Sequence, residues 1–294
     1  MSNPQPVKEE RAGLAPFISR LTALFLPDGG CPYYKGGGSS AEPTLLAALA
    51  IFSSVAPVGR AKPLLDWAVG LQSDDGSIGA DPAHSDQGKW ATSQAAFVFH
   101  HFGLGRNLKR ALDFILSSKS LTLPDDPRTG QNDGLSGWSW VQGTFGWVEP
   151  TAWALLALHL AGLGGHPRAV EGRRFLLDRQ IPSGGWNYGN PALNDKDLLP
   201  FWDTTGLALL ALKSHPEERR VIQSLDLLEK NQERIESLCG LAWTVLGLQN
   251  YGRDTHRLKT RLFDVMSSLR EDELNAAHFS AGLTALSGEK VFAA

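Results

Sequence analysis

Sulfur is scarce in this chain: 294 residues include two cysteines, Cys31 and Cys239, and two methionines. Two cysteines so far apart make no disulfide framework, and neither belongs to a Cys-x-x-Cys pair of the kind that holds zinc, so a reducing, cytoplasmic setting is expected. Positive charge is not in excess either. A formal net charge of -3, without any Lys/Arg run, leaves little to neutralise a phosphate backbone, and nucleic acid is not an expected partner. Long apolar runs are missing. The longest, from Thr151 to Gly165, is too short to span a bilayer, and the opening MSNPQPVKEERAG has no apolar stretch of the secretory type. No transmembrane segment is therefore expected, which leaves room for a peripheral membrane contact. Familiar catalytic signatures are lacking too: there is no Gly-x-Ser-x-Gly elbow, no P-loop and no His-Glu-x-x-His. The pair Asp125-Asp126, ahead of Pro127, reads as a solvated turn.

What is plentiful is tryptophan, glycine and proline, with nine, 31 and 17 copies. Internal similarity explains them. One pattern, a polar residue followed by an Ala/Leu/Gly-rich helical run, recurs six times: EPTLLAALA from Glu42, WATSQAAFVF from Trp90, EPTAWALLAL from Glu149, DTTGLALLAL from Asp203, SLCGLAWTVLGL from Ser237 and AAHFSAGLTAL from Ala276. Aligned, they place Thr44, Thr92, Thr151, Thr205, Cys239 and His278 in one column, with room for two helices per repeat. These runs are apolar nearly all round, as in helices buried on both sides. Between them lie charged, amphipathic segments such as LKRALDFILSS from Leu108 and RRVIQSLDLLEKNQ from Arg219. The pattern predicts an all-α fold: an alpha/alpha toroid of about six helical hairpins, with an inner and an outer ring, over residues 41–294. Residues 1–40 are expected to add a helix around positions 14–26 and a Gly-rich loop that pack on it.

Loops following several outer segments carry glycine and tryptophan: GLSGWSWVQGTFGW from Gly134 and RQIPSGGWNYG from Arg179. The stretch from Arg174-Phe175-Leu176 through Gln180 to Gly185-Trp186 resembles the "QW" repeat of squalene and oxidosqualene cyclases, and the copy at Gln72–Gly76 is a degenerate one. Together with the helical repeat, these features resemble the prenyltransferase and squalene-oxidase repeat superfamily over roughly residues 40–290. The resemblance implies that Gln180 and Trp186 tie outer helices together.

Acidic residues stand two places before the threonine column in three repeats: Glu42, Glu149 and Asp203. Each could cap its helix and meet the positive end of the helix dipole, with Pro43 and Pro150 well placed in the first turn. The segment Phe201-Trp202-Asp203-Thr204-Thr205-Gly206 also resembles the motif from which class II terpene cyclases protonate an alkene or epoxide. That resemblance puts Asp203 at the proton-donating position and Thr205 at the motif threonine. Phe201, Thr204 and Gly206 depart from the pattern. The catalytic candidates are thus Asp203, Glu149 and Glu42. Cyclisation also needs aromatic faces to stabilise carbocations. Trp90, Trp153, Trp202 and Trp243 lie at inner-helix starts, and with Thr205 and His278 they are the candidate substrate-binding residues.

A zinc prenyltransferase reading rests on Cys239 and His278, with Glu236 as a third ligand. Ser237 occupies the position where that family has an aspartate, and zinc needs three or four ligands, so no metal or other cofactor is expected. Three functions remain open: a terpene cyclase or isomerase working by general acid catalysis on a linear isoprenoid or its epoxide, a zinc prenyltransferase-like subunit, and a non-catalytic toroid binding a lipid or protein partner. Squalene-type cyclases use two toroids, so the resemblance leaves open a shorter isoprenoid or other apolar small molecule, a homodimer or a partner chain.

Overall fold

The computed structural model describes residues 13–54, 56–85, 88–124, 130–193, 196–288 and 291–292. Asp125 and Asp126 lie outside them. Six helices are apolar on almost every face: α2 (Ala41–Ser53), α4 (Ala91–His101), α6 (Val148–Leu160), α8 (Trp202–Ala211), α10 (Leu238–Asn250) and α12 (Ala276–Ser287). Each packs against the next, and α12 packs against α2, so they close a ring. Helices α1 (Ala15–Thr22), α3 (Lys62–Gly70), α5 (Gly105–Ser117), α7 (Pro167–Asp178), α9 (Arg219–Lys230) and α11 (His256–Ser268) surround it. Outer helices are amphipathic because only one stripe meets the ring: α5 buries Ala111 and Ile115 and leaves Arg106 and Lys109 in water. The predicted toroid is the observed fold. The leading helix is shorter than expected and joins the outer ring, where Phe17 meets Phe279 edge-on at 5.9 Å and Arg20 donates to the carbonyls of Met266 and Leu269.

The threonine column is a structural fastener. Thr44, Thr151 and Thr205 are fully buried and Thr92 nearly so. Their hydroxyls accept from the backbone N–H of Cys31, Ile78, Trp138 and Trp186 at 2.8–3.0 Å, which pins the preceding loop onto the start of each inner helix. Gly185 needs to be glycine for two reasons: its φ is +76°, and a Cβ there would lie 2.8 Å from the Thr205 hydroxyl. The following Trp186 is buried and donates its indole N–H to the Leu176 carbonyl, while Gln180 donates to the Arg220 carbonyl and the Ser224 hydroxyl of α9. One loop therefore joins α7, α8 and α9. A two-stranded antiparallel sheet, β1 (Ala192–Leu193) and β2 (Lys196–Asp197), projects from the continuation of that loop. Among the described residues, no helix is long and apolar enough to cross a membrane.

Candidate active site

The inner helices all present their N-terminal ends to one side of the ring, and there a cavity of about 240 Å³ opens. Its polar wall comes from the second position of four helices: Glu42 of α2, Glu149 of α6, Asp203 of α8 and Cys239 of α10. Ala277 and His278 of α12 complete that wall. One turn further along, Leu46, Leu207 and Trp243 follow Glu42, Asp203 and Cys239 at a spacing of four, so they share the same helix face about 6 Å deeper. Acid groups thus sit above an apolar throat. Trp140 and Tyr188, from the loops before α6 and α8, border the cavity from above, with Tyr188 well exposed.

Each acid has a different environment. Glu42 accepts from the Tyr33 phenol at 2.6 Å and from the Gln94 side-chain amide at 3.3 Å. Asp203 accepts from the Thr204 backbone N–H at 2.9 Å and from the Cys239 thiol at 3.7 Å. Glu149 stands between these two. Burial, and then the negative charges of Glu42 and Asp203, hold its carboxyl well above the usual carboxylate range. Burial and the same carboxylates push up the Cys239 thiol, while burial and chiefly Glu42 push up the Tyr33 phenol. His278 stands exposed at the mouth. Crowding by protein atoms lowers its pKa against the opposing pull of Glu42 and Asp203. Among the described residues, no group of three or more His, Cys, Asp and Glu side chains could hold a metal ion.

Several sequence assignments change. Thr205 was expected at the substrate; its buried hydroxyl is committed to Trp186 and stays out of the cavity. Cys239 does not belong to the threonine column. Ser237 caps α10 by accepting from the Gly240 N–H, which sets Cys239 at the carboxylate level beside Asp203. His278 stands at the third position of α12, one earlier than the fourth position that Thr44, Thr151 and Thr205 hold in their helices. Of the candidate tryptophans, Trp243 lines the cavity. Trp90 packs edge-on behind Trp140 at 4.8 Å, Trp153 is fully buried against Trp243 at 5.7 Å, and Trp202 packs beside Gly240. Sequence reasoning missed Tyr33, Gln94, Trp140 and Tyr188, which come from loops or from a helix start out of step with the others. It also missed Leu46 and Leu207, which a four-residue step from each carboxylate would have found.

An α/α toroid with three acid groups at the open ends of its inner helices is the class that fold and cavity define. No family model matches the chain. A stretch of 103 residues is 33% identical to lanosterol synthase of Candida albicans, covering 34% of this chain and 14% of that enzyme's length. Among solved structures, an ent-copalyl diphosphate synthase from Streptomyces platensis superposes with a TM-score of 0.57 at 20% identity, over 84% of this chain and 49% of that one. Type II terpene cyclase MstE from Scytonema, in complex with geranylgeranyl dihydroxybenzoate, gives 0.64 at 10% identity over 95% and 99%. An α-1,6-mannanase of Salegentibacter gives 0.63 at 9% identity over 97% and 99%. The chain therefore has the squalene-cyclase-like toroid fold that its repeats resemble, a fold shared with glycan-cleaving enzymes.

Proposed function

We propose that this protein is a class II terpene cyclase-like acid catalyst that protonates a linear isoprenoid or its epoxide in the carboxylate-lined cavity. The observation that carries the reading is the placement of Glu149, a half-buried carboxyl that lines the cavity with Glu42 and Asp203 above an apolar throat. A carboxyl that keeps its proton is available to donate it, and an epoxide oxygen, far more basic than an alkene, needs only a hydrogen bond that tightens in the transition state. The resemblance read from sequence put that proton on Asp203. The raised carboxyl favours Glu149 as donor, and the proton released when the final cation is quenched returns to Glu149, directly or through the neighbouring Asp203 or Glu42. Trp243, Trp140 and Tyr188 present aromatic faces to the passing cation. The cavity volume lies below the range of about 300–1,000 Å³ usual for ligand pockets, which suits a short isoprenoid.

Paired carboxyl groups also serve glycoside hydrolysis. The wall of Leu46, Leu207 and Trp243 below the acids favours an apolar chain over a sugar. The test is product analysis by gas chromatography and mass spectrometry with linear isoprenoids, their epoxides and diphosphates, and mannan oligosaccharides. A cyclised product from wild type, reduced about 10²–10⁴-fold in Glu149→Gln, is expected. Full turnover by Glu149→Gln would remove Glu149 as the acid, sugar release would reassign the substrate, and retention of an isoprenoid without conversion would favour a binding toroid.

A further inference from the structure

The inner ring encloses an axis that the carboxylate cavity occupies only at one end. Lower down, the axis is filled by the segment Val291–Phe292, which follows α12 and is buried at 4% exposure for both residues. The Phe292 ring stacks on Phe97 of α4, with centroids 5.1 Å apart and planes at 19°. It also meets Trp243 of α10 at 6.0 Å and Trp153 of α6 at 6.1 Å. In the closed ring α4 and α10 stand opposite each other, so a side chain touching both lies on the axis. Trp243 is at once a lining residue of the cavity and a neighbour of Phe292. Beneath, where Phe292 meets Leu156 of α6 and Leu210 of α8, only about 10 Å³ remains, hardly room for one water.

We propose that Phe292 is the floor of the active-site cavity and a specificity-determining residue: its ring, backing Trp243, limits how long an isoprenoid chain the toroid accepts. The identity of the ligand rests on the cyclase reading above; the position of the floor does not. A phenyl ring and an isoprene unit are of similar bulk, so removing the ring opens the throat downward by about one unit. Among the described residues the side chains around the ring belong to helices packed in a closed circle, which resist collapsing into the space.

The experiment is a titration of wild type, Phe292→Ala and the milder Phe292→Leu with geraniol, farnesol, geranylgeraniol and benzene, read by intrinsic tryptophan fluorescence, since Trp153 and Trp243 flank the ring. Phe292→Leu guards against a loss of folding in the alanine variant, and circular dichroism of each protein is recorded first. Expected is saturable benzene binding by Phe292→Ala with none in wild type, and a shift of the preferred prenyl alcohol to one unit longer, with at least tenfold tighter binding than wild type shows for that length. An unchanged length preference in folded variants would overturn the proposal. If no prenyl alcohol binds any of the proteins, the isoprenoid reading fails. Benzene then decides the floor: binding confined to the Phe292 variants upholds it, and absence of binding in all three rejects it.

Discussion

Replacing Gly206 by alanine pits two well-measured effects against each other. In an exposed helix the substitution stabilises by about 1 kcal/mol, because glycine is the poorer helix former. Gly206, however, lies where α8 crosses α10, and a Cβ there would meet the Trp243 carbonyl oxygen at 2.2 Å and its carbon at 2.5 Å. These are backbone atoms, so no rotamer change relieves the clash. The helices must part by roughly 1 Å, and because backbone faces backbone the cost lies in the upper part of the range for overpacked cores, about 2–3 kcal/mol. Gly247 on the facing helix leaves no slack, since a Cβ there would lie 3.1 Å from the Gly206 Cα. We expect a net loss of about 1–2 kcal/mol for Gly206→Ala in urea unfolding followed by circular dichroism, with an unchanged slope against denaturant. The displacement carries Trp243 and Cys239 away from Asp203, so turnover or ligand binding should fall in the folded variant as well. A variant as stable as wild type, or more so, would refute the close crossing of α8 and α10.

The remaining predictions concern the acid and its supports. Glu149→Gln should stabilise the protein at neutral pH. In acid, folded and unfolded wild type both hold the proton and the variant gains nothing; above the usual carboxylate range the unfolded chain ionises first, so wild type falls behind by about 1.4 kcal/mol per pH unit until the folded carboxyl ionises too. Parallel stability curves from pH 4 to 8 would remove the case for a neutral Glu149. Thr205→Val leaves the buried Trp186 N–H without its 3.0 Å acceptor and should cost about 1–3 kcal/mol in the same unfolding assay, with ligand binding by the folded protein retained. A weakened ligand affinity at unchanged stability would instead return Thr205 to the cavity.

The repeat architecture was legible without coordinates because buried inner helices leave a composition that nothing else needs: small apolar residues on every face, with a polar residue in the first turn and, in several repeats, a Gly-Trp loop before it. Glu42, Glu149 and Asp203 could be singled out for the same reason, since their place in the repeat puts them at helix starts. Their division of labour could not. Asp203 has the neighbours that resemble a family motif, yet Glu149 is the carboxyl pushed well above the usual range, because a pKa depends on which charges and how much water surround a carboxyl, and those charges come from α2 and α8, distant in the chain. Thr205 and Trp153 misled because sequence position on an inner helix does not say whether a side chain points to the axis or to a neighbouring loop. Cys239 and Phe292 were misplaced or missed for a related reason. A cap shifted by two residues sets the level of Cys239, and only closure of the ring brings residue 292 onto the axis between Phe97 and Trp243. Periodicity and composition are local properties, and they specified the helices and their order; the contents of the cavity depended on contacts across the ring, which no local pattern encodes.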